Sequence, residues 1–274
     1  MKGQYTKLFL IGNGFDRWQG LPTSYDNFRQ YYFEHILEIS KQLRIKTEVD
    51  KAGNIITPVE KIFGDIFNPK KLPGEFFWNF ESSMALLDDQ NIALYFGKSY
   101  KGVYQMQETL NAALEILRKV FGDWIKSISI EDKETGYIFD DSCYFINFNY
   151  TNTLEKRFQV DERNVNYIHG DFSDAESIVF GHSKHPEIAF PELMEQKFIH
   201  RIGGGKSKRL RELYLVENAL YETDKHVQDN IDDLCEFMTI DGVHIEDITD
   251  IYVLGHSFGE PDFKYFEFLV KATQ

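Results

Sequence analysis

The sequence predicts an α/β protein: a Rossmann-like parallel sheet covered by helices on both faces. Three observations carry this prediction. Short, continuously apolar runs alternate with longer stretches that have apolar residues at helical spacing, the pattern of fully buried strands between amphipathic helices. Each run closes on a turn rich in glycine, asparagine or histidine. Those turns hold the chemically versatile side chains, and open parallel sheets bind ligands at the carboxyl ends of their strands.

The first strand is Lys7-Leu8-Phe9-Leu10-Ile11, running into Gly12-Asn13-Gly14. After Pro22-Thr23-Ser24, the spacing of Phe28, Tyr32, Ile36 and Ile39 predicts a helix with Ser24 as N-cap. Met106, Leu110, Ala113, Leu114, Leu117, Phe121 and Trp124 form the apolar face of another. Tyr144-Phe145-Ile146-Asn147-Phe148 is a strand ending in Asn149-Tyr150-Thr151, and Asn152 with Glu155 predicts a capping pair for the next helix. Val165-Asn166-Tyr167-Ile168 and Ser177-Ile178-Val179-Phe180 are further strands, closed by His169-Gly170 and Gly181-His182-Ser183. Residues 184–236 are helical in pattern, broken at Gly203-Gly204-Gly205. Ile251-Tyr252-Val253-Leu254 ends in Gly255-His256-Ser257, and Pro261 then occupies a first helical position before Phe263, Phe266 and Leu269. The result is one α/β domain over residues 1–274, with helical insertions at about 25–135 and 184–245 that would pack together as a cap.

Composition narrows the function. At 274 residues, 42% hydrophobic and 27% charged, the chain has ample material for a core. Its formal net charge of −14 argues against bulk nucleic-acid binding. The basic stretch Lys206-Ser207-Lys208-Arg209-Leu210-Arg211 reads as a solvated helix face. Cys143 and Cys235 both read as buried thiols, too few for a disulfide framework or a Cys-rich zinc module. A signal peptide and a membrane-length apolar run are missing from the sequence, so a cytoplasmic protein without membrane partners is expected.

Gly12-Asn13-Gly14-Phe15-Asp16 follows the first strand, and glycines there let backbone N–H groups approach a phosphate. The spacing to Gly20-Leu21-Pro22 is not that of the dinucleotide G-x-G-x-x-G fingerprint. Asn149 at its strand end can hold a ribose or a water through both donor and acceptor, while the same turn also reads as a helix cap. His169 has the residue type whose ordinary pKa suits general base work. Gly255-His256-Ser257 offers close approach and a hydroxyl for phosphate or ribose. His169, His182, His185, His200 and His256 match no zinc spacing, so no metal is expected. Gly205-Lys206-Ser207 is not a P-loop, because His200 stands where that loop requires glycine.

Gly12-Asn13-Gly14-Phe15-Asp16 with Gly20-Leu21-Pro22-Thr23-Ser24-Tyr25 resembles the opening of the abortive-infection AbiH family of bacterial anti-phage proteins. Asn147-Phe148-Asn149-Tyr150-Thr151, Ile168-His169-Gly170, Gly181-His182 and Leu254-Gly255-His256-Ser257 match that family in order. More distantly, the chain is similar to sirtuin-type NAD-binding domains, whose catalytic Asn and His fall on Asn149 and His169. It departs from them in having Asp16 for their serine and in lacking the four zinc cysteines, which puts protein deacylation in doubt. The resemblance implies a sirtuin-like fold and NAD as ligand or substrate, cleaved at the nicotinamide–ribose bond, with Asn149 and His169 catalytic. It implies that Gly12, Asn13, Gly14, Phe15, Asp16, Gly255, His256 and Ser257 hold the nucleotide. A non-catalytic nucleotide sensor, or an enzyme acting on another nucleotide or on RNA, would use the same motifs. A phage or host trigger protein as partner, and a homo-oligomer, are left open.

Overall fold

The computed structural model describes residues 5–63, 100–131, 137–170, 178–179, 225, 227–259 and 262–273, with the side chains of 100–104 and 107 left out. In chain order the first half contains β1 (Lys7–Ile11), α1 (Asn13–Trp18), α2 (Tyr25–Gln42), the hairpin β2 (Glu48–Val49) and β3 (Ile55–Ile56), and α3 (Pro58–Phe63). The second half contains α4 (Tyr100–Ser127), β4 (Cys143–Asn147), α5 (Thr153–Phe158), β5 (Val165–Tyr167), α6 (Val227–Ile240), β6 (Asp250–Leu254) and α7 (Phe263–Ala272).

Among the described residues the main sheet has four parallel strands in the order β5-β4-β1-β6. The architecture is mixed α/β with a parallel sheet, as the apolar runs predict. Winding proceeds outward from β1 through β4 to β5, then returns to β1's other side for β6, so the strand order reverses at β1. Ile11 stands opposite both Asn147 and Leu254, which ends the three strands level. The turns after them therefore lie side by side on one edge.

Alternation along β1 divides the core. Leu8 and Leu10 pack with Tyr144 and Ile146 of β4, under Val227, Ile231, Leu234 and Met238 of α6 and Tyr265, Phe266 and Leu269 of α7. Phe9 and Ile11 face the other way with Cys143 and Phe145, against Phe15 of α1 and Leu154 and Phe158 of α5. Both faces of β1 and β4 are thus covered, which is why these two strands read as unbroken apolar runs, whereas β6 has Tyr252 and Val253 exposed. Each fully buried Leu or Phe contributes about 1.5–3 kcal/mol to this packing.

Several local expectations change. Ser177-Ile178-Val179-Phe180 was expected as a strand; of these only Ile178 and Val179 are described, and neither lies in one. Val179 instead donates its N–H to the His169 carbonyl (2.9 Å) and accepts from the Tyr150 hydroxyl (2.9 Å), so it lies across the turns rather than along β5. Asn152 is the N-cap of α5 but makes no side-chain cap bond. Its expected partner Glu155 accepts from the Tyr167 hydroxyl at 2.6 Å instead. Ser24, by contrast, does cap α2, accepting from Asn27 N–H at 3.2 Å while Asn27 Oδ1 accepts from Ser24 N–H. Cys143 is buried, but Cys235 is exposed, because Val227, Ile231, Leu234 and Met238 take the inward stripe of α6. The Gly181, His182, His185, His200 and Gly205 motifs, Glu260-Pro261 and most of the helical stretch 184–236 lie outside the described residues.

By its internal contacts the chain forms two compact units: residues 1–28, 121–180 and 226–274, containing the sheet, and residues 29–120 and 181–225. In the second unit Tyr32, Ile36 and Ile39 of α2 are buried, and α3 opens with Thr57 and Glu60 bonded reciprocally as a capping box. Among the described residues no helix is long and apolar enough to cross a membrane.

Candidate functional site

The turn after β1 is fastened to its neighbours on every side. Gly12 N–H donates to Leu254 O (2.9 Å), Gly14 N–H to Gly255 O (2.7 Å) and Phe15 N–H to Gly12 O (2.9 Å). Gly12 has a φ of −112°, so it is not glycine for the sake of a left-handed backbone. A β-carbon there would lie 2.6 Å from His256 Cα, and one on Gly14 would lie 2.7 Å from Gly255 O. Gly255 itself has φ +67° and would place a β-carbon 2.0 Å from Phe15 N. The turns after β1 and β6 interlock, and only glycines allow it. Asn13 is equally engaged: its amide donates to Thr23 O (2.7 Å) and accepts from Thr23 Oγ1 (2.6 Å), tying the turn to the Gly20–Ser24 segment. Phe15 is buried against Phe158, in the core.

Asp16 points inward, 1% exposed, and its Oδ2 accepts from Thr151 Oγ1 at 2.5 Å. Burial pushes this carboxyl up to about 6, against bonds from Thr151 and Thr153, the Arg157 charge and Asn149, which all favour ionisation. Asn147 shapes the turn after β4 by accepting from Asn149 N–H (2.9 Å). Asn149 in turn donates its side-chain N–H to the Gly12 carbonyl (3.1 Å), joining the β4 turn to the β1 turn. Among the described residues Asp16 Oδ1, Asn149 Oδ1 and Arg157 Nε are buried without a hydrogen-bond partner. Each is a polar atom that costs free energy unless something meets it.

His169 follows β5, beside β4, and is 2% exposed. Its Nε2 lies 3.1 Å from Asp262 Oδ1. The other oxygen of that carboxylate lies 3.4 Å from Nε2 of His256, which follows β6 at the far side of the sheet. His256 Nδ1 accepts from Phe258 N–H at 2.9 Å. One carboxylate therefore joins residues from the two outer strands, over Phe148, whose ring meets both imidazoles edge-on at 5.7 and 4.6 Å. Ser257 is exposed. Asn149 turns toward Gly12 and His169 toward Asp262, so the two share the edge while holding different partners. No group of three or more His, Cys, Asp or Glu among the described residues is arranged to hold a metal ion.

The family model described as "Bacteriophage abortive infection AbiH" matches residues 8–274. The chain belongs to the AbiH family. No curated protein and no solved structure matches it.

Three AbiH residues that the motifs did not point to, Thr153, Arg157 and Asp262, complete the edge together with Thr151. Asp262 stands at the N-cap of α7 without making a cap bond, its carboxylate turned to the histidines. With Pro261 placed at a first helical position, the sequence reading passed over Asp262 and singled out only the apolar stripe that follows it. Thr151 was visible inside the Asn-Tyr-Thr turn, yet its partner Asp16 is 135 residues away.

Proposed function

We propose that this AbiH chain acts in abortive defence against phage by hydrolysing NAD at its nicotinamide–ribose bond, at the carboxyl edge of the sheet. The observation that supports this reading most is the unmet acceptor Asn149 Oδ1, buried where a doubly wound sheet presents its ligand site. With its N–H engaged on Gly12, the amide is held fixed and offers its oxygen to a ribose hydroxyl or to an attacking water. His169 is the proton acceptor in the same reading. Cleavage through an oxocarbenium-like state asks mainly for positioning and charge stabilisation, which two such groups on rigid strand ends supply.

The Gly12–Asp16 turn enters this reading with a changed role. Three of its N–H groups already donate within the protein, so it organises the edge rather than wrapping a pyrophosphate with those donors. The exposed Ser257 hydroxyl remains for the adenosine side.

Purified protein incubated with NAD, with nicotinamide and ADP-ribose separated chromatographically, is the test. Wild type should release both, and Asn149→Ala and His169→Ala should each lose turnover by about 100-fold or more while staying folded. The double variant should be no worse than either single if the two act as a unit. Protection against phage without NAD loss in infected cells would end the hydrolase reading. Binding of NAD without turnover would replace it with a nucleotide sensor.

A further inference from the structure

We propose that two copies of this chain pair through β6, run antiparallel about a two-fold axis at Tyr252. Among the described residues β6 ends the sheet, with β1 as its only strand neighbour. It is poorly covered as well: Tyr252 is 41% exposed and Val253 36%, although neighbouring side chains on a strand point to opposite faces. Edge strands are ordinarily guarded by Lys, Pro, a bulge or a covering element. β6 pairs with β1 residue for residue, without a bulge, and its sequence is Asp250-Ile251-Tyr252-Val253-Leu254. Its one charge stands at the start and the rest is apolar. In a chain of net charge −14, this is a strand where two copies meet without opposing carboxylates.

The backbone selects both partner and register. Asp250 N–H donates to Thr6 O (3.2 Å) and Leu254 O accepts from Gly12 N–H (2.9 Å), so the peptide groups of Asp250, Tyr252 and Leu254 face β1. Alternation along the strand turns those of Ile251 and Val253 outward, where among the described residues they have no hydrogen-bond partner. The flanks are already engaged: Thr249 N–H donates to Thr6 O, and Gly255 O accepts from Gly14 N–H. Outward residues one position either side of Tyr252 make the strand its own complement. In the antiparallel pair Ile251 faces Val253 of the second copy and exchanges both hydrogen bonds with it. Tyr252 faces Tyr252 as the closer, non-hydrogen-bonded pair, and Asp250 faces Leu254, so no like charges oppose. Centring the pair on Ile251 or Val253 instead would set the other against Thr249 or Gly255, which already bond within the chain. The two carboxyl edges then point opposite ways, and the pairing is independent of the proposed activity.

The experiment joins sedimentation of the full chain to disulfide trapping. Wild type should sediment as a dimer at about 100 µM and dissociate on dilution. Val253→Lys, which sets a charge on the pairing strand, should weaken the dimer at least about tenfold while its melting temperature stays within about 2 °C of wild type. Trapping uses a Cys235→Ala background, Cys143 being buried. Cα atoms of a non-hydrogen-bonded antiparallel pair lie about 4.5 Å apart, within disulfide range, so Tyr252→Cys should cross-link to its own counterpart under mild oxidation. Val253→Cys, whose counterpart is Ile251, should cross-link at least about tenfold more slowly. Wild type that is monomeric at about 100 µM overturns the proposal with no variant needed. So does a dimer that Val253→Lys leaves intact, or trapping at Val253→Cys as fast as at Tyr252→Cys.

Discussion

Asp16 holds a carboxyl where charge is costly, and its titration should mark the whole protein's stability. It titrates at about 6 in the fold against an ordinary 3.8, so between those values the folded chain keeps a proton that the unfolded chain has released. Its contribution is therefore most favourable below the ordinary value and is lost as pH rises through about 6. Asp16→Asn retains an acceptor for Thr151 and removes the titration. Wild type should lose about 2 kcal/mol relative to Asp16→Asn between pH 4 and pH 7, measured from urea midpoints. Parallel profiles would show that this carboxyl titrates normally. The glycines give a sharper contrast. Gly20 has φ +79° with open space where a β-carbon would go, so Gly20→Ala should cost only the backbone strain, about 1–2 kcal/mol. Gly255→Ala adds a collision with the Phe15 backbone and should cost about 2–5 kcal/mol. Equal losses in thermal denaturation would mean the two turns are not interlocked. At this scale the sequence located the candidate residues but not their partners. Asp16 and His169 each answer to a residue far along the chain, Thr151 and Asp262, and Asn13 to Thr23 at a separation of 10, and no local pattern announces these pairings.

The strands were legible as short continuous apolar runs, which for β1 and β4 reflect burial on both sheet faces. Lys7-Leu8-Phe9-Leu10-Ile11 was found with its observed ends, and the other three with ends shifted by one residue. Ser177–Phe180 has the same apolar look, yet Val179 bonds to the turns, so local hydrophobicity alone did not decide its state. The cap of α5 was misread for a related reason: Glu155 has a tertiary partner in Tyr167 that outcompetes the local bond. In α6 a single position decides between core and surface. Leu234 is 1% exposed in the cluster beneath β1 and β4, so Leu234→Ala should destabilise by about 2–5 kcal/mol. Cys235, its exposed neighbour, should tolerate alanine within about 0.5 kcal/mol. Chemical denaturation of both variants checks this, and comparable losses would put α6 in the wrong rotation.

At the scale of the molecule, β1 is the hinge of the topology. Both of its neighbours come from distant parts of the chain, since Lys7 pairs with Cys143 on one side and with Asp250 on the other. The two turns that interlock at the edge belong to the first and last of the four strands, and the carboxylate that joins His169 to His256 comes later still. Such non-local pairing slows folding, because loop closure must precede the contacts that reward it. It also has a consequence for synthesis. A ribosome makes β1 early and Asp262 late, so for most of its time on the ribosome the growing chain has an unfinished sheet and a histidine without its carboxylate. A copy that ends before β6 lacks both the Gly255 side of the interlocked turns and the carboxylate beside His169, so the edge of the sheet is completed only by the last part of the chain to be made.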